Sequence, residues 1–473
     1  MQTEPQNGFR KHIAPIAAAV GFLAVFVFFQ FFYPYHLVRR EQMNLFVFDA
    51  DYIVQTYRGM GFLARFAADF LEQFFHLSVV GPLLMALLLT GIGVLAYRIC
   101  RHFMGMWPSL AVAALLFAWS FMRETGNLFV TRYSVVTAGY LALILLALQM
   151  KKDWLKAVAA VVFLAFGVWA FGSPYHKHYG KLWGTPSLRY DRVIGLDIEV
   201  ARENWDRVLA LSEKDLYMVE ASFCYNLAHA MKGDLGSKLF QHSQSGTNSL
   251  LMRIGIDKTA FTNSLASEAW YHLGNMTIAE QGAIIALQSA PDHTGARYVK
   301  RLAEVNLISG EDASAQKYLS LLSRTLFYGK WARRSMPGRQ DDAVRAALGK
   351  ARAHLPRTDF VHQSENPRAL LLCQLEANPS NSLAHDYLLC YDLLSYDLNH
   401  FMEDYVPASD KARLYQEAVL IWLDQRGLVN EEEVARFGVN PSNVDRLRRF
   451  YNNPNAFKDT YWFYYLKAVQ NQR

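Results

Sequence analysis

Between Ile13 and Phe171 one pattern recurs, a long apolar stretch closed by a short polar break, and it decides what this half of the chain can become. An α-helix rises about 1.5 Å per residue, so about twenty apolar residues cross a hydrocarbon layer ~30 Å thick. Stretches of that length run from about Ile13 to Tyr33, Ser78 to Tyr97, Met104 to Met122, Tyr133 to Met150 and Trp154 to Phe171. They predict a polytopic bundle of about five spans over residues 1–172. The first stretch follows Arg10 and Lys11. It is too long for a cleavable signal and has no small-x-small site before Tyr33-Pro34-Tyr35, so it is read as a retained anchor.

An odd number of spans puts the two ends of the chain on opposite sides. If the N-terminus is inside, the short inner segments hold Arg10, Lys11, Arg98, Arg101, Lys151, Lys152 and Lys156. The outer ones hold Arg39, Arg40, Arg58, Arg65, Arg123 and Arg132, of which the first four belong to the long loop 34–77 and count for less. The expected topology is therefore a cytoplasmic N-terminus and an extracytoplasmic C-terminal half.

Residues 191–473, after a polar and aromatic connector at 173–190, read as a water-soluble, all-helical domain. Charged residues are 19% of the whole chain, and the net charge of +6 is spread over 48 basic and 42 acidic residues. No concentrated basic face suggests nucleic acid as a partner. Helix-length segments come in pairs separated by Gly, Pro or Asn: Ser264–Leu273 with Thr277–Ser289, His293–Ile308 with Glu311–Ser323, and Pro367–Ala377 with Ser382–Tyr396. Trp270, Leu273, Gly274 and Ala286 fall at offsets used by tetratricopeptide-like repeats, with Gly274 as the small position that lets paired helices approach. The expected fold is all-α, a membrane bundle followed by a helical-repeat domain. Of the four cysteines, Cys100 is expected at the cytoplasmic side, and Cys373 and Cys390 are out of register for a bridge and expected as free, buried thiols.

Candidate chemistry is sparse. Asp49 and Asp51, just beyond a span, could hold a divalent ion or act as a base, although such acids in a loop are ordinarily solvated or helix-capping. In Phe62–His76 the apolar residues fall on one side, and Arg65, Asp69, Glu72, Gln73 and His76 on the other. This reads as an interfacial helix with a solvated polar stripe and an Arg65–Asp69 pair. Arg123, Glu124 and Arg132 are expected in a tight turn between spans, and His176 and His178 as an interface anchor. The stretch from Arg324 to Arg357 is the most basic of the soluble half, with Asp341 and Asp342 its only acids, and could meet an anionic glycan, a lipid headgroup or an acidic protein. Arg333, Arg334 and Arg339 there, with Trp270 and Tyr271, are the candidate binding residues. No nucleotide-loop, zinc-protease or serine-hydrolase motif occurs, and no spacing implies a metal or cofactor.

Several strings resemble a family of Bacteroidota membrane proteins classed only as a domain of unknown function. They are Phe29-Gln-Phe-Phe-Tyr-Pro-Tyr-His-Leu with Glu41-Gln42 beyond it, Asp69-Phe-Leu-Glu-Gln-Phe-Phe, Arg301-Leu-Ala-Glu-Val-Asn-Leu-Ile-Ser-Gly, Leu322-Ser-Arg-Thr-Leu-Phe-Tyr and Asn378-Pro-Ser-Asn-Ser-Leu-Ala-His-Asp-Tyr-Leu. The resemblance spans nearly the whole chain. It implies a bacterial, Gram-negative inner membrane and a helical-repeat tail, and it brings no activity. The function expected from these readings is a scaffold or adaptor that binds membrane lipid and holds a periplasmic or membrane protein. The alternative is a transferase, or a subunit of one, acting on lipid-linked sugars, since such enzymes place acids in their first outer loop.

Overall fold

The computed structural model describes residues 6–126, 131–172, 185–362, 365–407 and 412–471, and every regular element among them is helical. The chain divides into two compact units. The first comprises Met1–Asp191 together with Thr294–Arg297 and Leu319–Arg333, and the second comprises Arg192–His293, Tyr298–Tyr318 and Arg334–Arg473. Sequence reading assigned everything after residue 190 to one soluble domain. Two short stretches of it instead belong with the apolar bundle.

Unit 1 is built from α1 (Gln6–Val27), α2 (Pro34–Met43), α3 (Ala50–Thr56), α4 (Phe62–Gln73), α5 (Val80–Cys100), α6 (Met106–Glu124), α7 (Thr131–Leu148) and α8 (Asp153–Phe171). Five helices are long and apolar enough to cross a membrane: His12–Phe32, in which α1 continues through a π turn, and α5 to α8. The chain is read accordingly as a membrane protein. Pro34, whose fixed φ suits a first helical position, opens α2. The interior of the bundle is aromatic and aliphatic, with Phe29, Tyr33, Leu37, Met85, Leu89 and Ile92 all fully buried. Outward-facing side chains are also apolar: Leu115 is 72% exposed and Val161 70%, an arrangement stable only against lipid.

Unit 2 contains helices joined by short turns. Ala260–Leu273 and Met276–Ser289 form a hairpin, as do Pro367–Ala377 and Ser382–Leu394. Asn275, Asn366 and Asn381 each cap the following helix by accepting a backbone N–H. The close approach within the first hairpin depends on Gly282 and not on Gly274. A Cβ at Gly282 would stand 2.6 Å from that of Ser267. Gly274 terminates its helix at φ +86°, against the His354 carbonyl oxygen. Buried amides tie neighbouring segments together: Gln374 and Asn381 donate to the Leu273 carbonyl at 2.9 and 2.8 Å, and Asn378 to those of Ala353 and Leu355. The four cysteines are free, Cys224 and Cys390 being buried and Cys100 and Cys373 partly so.

Candidate functional site

The densest group of charged side chains in unit 1 lies where the apolar helices end. α2 carries His36, Arg39, Arg40 and Glu41, α4 carries Asp69, Glu72 and Gln73, and α6 ends on Arg123 and Glu124. All are buried. α7 begins with Thr131, Arg132 and Ser134. A charge taken out of water is costly unless it is paired and hydrogen-bonded, so the pairing decides whether this group is stable.

Arg40 and Glu124, 2% and 0% exposed, form the central ion pair. Arg40 also donates to Thr131 Oγ1 at 2.8 Å and to the Glu124 carbonyl at 2.6 Å, while Ser134 donates to the second carboxylate oxygen of Glu124. His36 Nε2 donates to the same carbonyl at 3.0 Å, and its backbone N–H to Asp191 at 2.8 Å. Burial and the adjacent Arg40 hold the His36 imidazole well below its ordinary pKa, so the ring is neutral. Asp69 is held by Arg132 at 3.2 Å and by the Tyr57 hydroxyl at 3.2 Å. Glu72, buried beside Asp69, is pushed up to about 7. Arg123 lies over the rings of Trp119 and Tyr133, 4.5 and 4.2 Å from their centroids.

The expectation for α4 is therefore corrected. Its polar stripe is not solvated, because Asp69, Glu72 and Gln73 face inward, and Asp69 pairs with Arg132 while Arg65 donates to the Arg58 carbonyl. The apolar face of α4 packs Phe66 on the rings of Phe46 and Tyr57, and its polar face turns inward where Arg132 and Asn44 hold its acids. Nothing in the local spacing marks Arg132 as partner, since it lies 63 residues away.

Asp49 has both oxygens engaged. Oδ1 caps α3 by accepting the Tyr52 N–H at 3.0 Å, and Oδ2 pairs with Arg324 at 2.7 Å. Asp51 is exposed in the first turn of α3, where a carboxylate favours the helix dipole. The extended link between α2 and α3 also fastens both returning stretches of unit 1. Ala296 donates its N–H to the Asn44 carbonyl, Phe48 donates to that of Arg324, and the Tyr328 hydroxyl donates to buried Glu41 at 3.1 Å. None of these ties was anticipated.

Of the remaining candidates, Trp270 is 4% exposed and belongs to the core of unit 2, where it offers no face to a partner. Tyr271 lies under Arg301, 3.7 Å from ring to guanidinium, and Arg301 pairs with Glu268 and Glu304. Arg334 is exposed and paired with Asp341, Arg339 is exposed, and Arg333 donates to the Ser323 carbonyl at 2.6 Å. His176 and His178 lie outside the described residues. Among the described residues no three His, Cys, Asp or Glu side chains are grouped to hold a metal ion.

One cavity of about 480 Å³ opens between α1, α5 and α6, lined by Ala14, Ala17, Ala18, Gly21, Gly93 and Ala113 with Tyr97 and Arg98 at its polar margin. Arg98 is eighteen residues along α5 from Val80, about 27 Å at helical rise, so the cavity and the ionic group occupy opposite ends of that helix.

The chain belongs to the DUF6057 family, a family of unknown function whose sequence pattern matches residues 10–177 and 174–468. No curated protein and no solved structure matches it.

Proposed function

We propose that this DUF6057 member is a non-enzymatic scaffold of a bacterial inner membrane, its N-terminus cytoplasmic and its tetratricopeptide-like unit 2 extracytoplasmic, where it holds a protein partner near the bilayer. The observation that carries this reading is the state of Asp49, whose two carboxylate oxygens cap a helix and pair with Arg324, a structural use of the acid. Helix hairpins bound to their neighbours by buried amides favour a broad recognition face over an enclosed reaction pocket. The transferase alternative would bring its acids together with a groove for a lipid chain. The cavity lined by Ala14 and Gly93 lies at the Arg98 end of α5, and Asp49 follows α2, whose Glu41 contacts His76 at the other end.

The test is affinity capture of the full chain from its own membranes after cross-linking, read by mass spectrometry. Wild type and the Asp49→Asn, Asp51→Asn double variant are expected to recover the same partner in equal yield, because Asn caps a helix as well as Asp and a half-exposed ion pair contributes at most about 1 kcal/mol. Reversal of Arg334 and Arg339 to Glu is expected to lower recovery about tenfold, the effect of losing about 1.4 kcal/mol. A double Asn variant that inserts normally yet loses capture, or a wild type that enriches nothing, overturns the reading.

A further inference from the structure

We propose that Leu326–Arg333 is a second membrane contact, seated in the headgroup layer where α5 begins and binding anionic phospholipid. Ring contacts set its depth. Phe327 stacks on His76 with centroids 4.8 Å apart and meets Phe74 edge-on at 6.1 Å. His76 lies four residues before Val80, the first residue of α5, and Leu77 and Val79 between them are exposed, 40% and 53%, as a helix entering lipid requires. A side chain stacked on His76 therefore stands at the boundary between hydrocarbon and headgroups.

What the segment carries suits that depth. Leu326 is 47% exposed, a cost in water and a gain at an interface. Lys330 is exposed and has no ion-pair partner among the described residues, and Trp331 beside it is the residue type that concentrates at this level. From Arg324 to Arg333 there are three basic residues and no acid. Two carboxylates that meet this stretch are already engaged, Glu41 by Tyr328 and Asp49 by Arg324, so the outer charge stays positive and complements lipid phosphate. Tyr328 and the Phe48–Arg324 backbone bond hold the segment there independently of lipid. This inference does not depend on the scaffold reading, since the contact is a property of unit 1 alone.

Hydrogen exchange of the full chain, read by mass spectrometry, tests it in three settings: detergent, nanodiscs of phosphatidylcholine, and nanodiscs containing phosphatidylglycerol. Peptides covering 324–333 are expected to exchange about fivefold more slowly with phosphatidylglycerol than with phosphatidylcholine, the effect of one basic residue at an anionic surface. The Leu326→Glu, Lys330→Glu variant should lose that difference while Phe62–Gln73, also in unit 1, keeps its protection, which shows that the fold of this unit is intact. Equal exchange of 324–333 in both nanodiscs, or a lipid dependence that survives in the variant, overturns the proposal.

Discussion

The two units differ in what they leave outside. In unit 1 Arg40 and Glu124 are at 2% and 0% exposure while Leu115 and Val161 stand outside at 72% and 70%. In unit 2 Trp462, Leu393 and Leu389 are at 0%, and charged side chains such as Arg448 and Asp445 stand outside beside scattered apolar ones such as Ile256. The physics is the same in both. Each side chain goes where its solvation costs least, and the surrounding medium differs. The lesson is that an amphipathic pattern reports two faces and does not say which is inside.

The largest effect that would break this comparison is a pair of truncations. Trp462→Ala removes a fully buried ring whose indole N–H donates to the Glu417 carbonyl at 2.8 Å, and is expected to cost about 3–5 kcal/mol. Leu115→Ala, in lipid on both sides of the folding reaction, is expected to stay within about 0.5 kcal/mol. Unfolding of the full chain in mixed micelles measures both, and comparable losses would mean that Leu115 is covered by protein.

A somewhat smaller effect concerns pH. Glu417, held by Arg413 and Arg446 at 3.0 and 3.1 Å, is nevertheless pushed by burial from the ordinary 4.5 up to about 7, and Asp392, buried against Arg368, from 3.8 to about 6. A carboxyl whose folded pKa is raised binds its proton more tightly when folded. Its contribution is complete below pH 4.5 and is lost as pH rises through 7. The loss for Glu417 is about 3 kcal/mol. Melting of the full chain should fall between pH 5 and pH 8, and Glu417→Gln should flatten much of that slope. A melting temperature constant or rising over this range would show that the two arginines outweigh burial.

How legible these features were followed from their range. The spans were read to within a few residues, because twenty apolar residues in a row declare themselves without reference to the rest of the chain. The hairpins at Gly274-Asn275 and Pro379-Ser380 were visible through their breakers and Asn caps. What failed was long-range or depended on the medium. Arg40 and Glu124 lie 84 residues apart, and neither position is unusual until the helices carrying them meet. The inward polar face of α4 was assigned to water because water is the usual neighbour of such a stripe. Trp270 was named as a binding residue, yet at 4% exposure it packs into the core of unit 2. The returning stretches Thr294–Arg297 and Leu319–Arg333 had no local signal at all, since backbone hydrogen bonds such as Ala296 to Asn44 require no particular residue type.

The account rests on the charges of unit 1 being paired with one another as structural ties. A double-mutant cycle on Arg40→Met and Glu124→Leu, measured by unfolding of the full chain in mixed micelles, tests this most directly. Each single change should cost about 3–5 kcal/mol, because it leaves the other charge buried and alone. The double variant should lose far less than the sum, with a coupling of at least about 2 kcal/mol. Single losses near zero with no coupling would contradict the account, because they would show both groups solvated and free for other work.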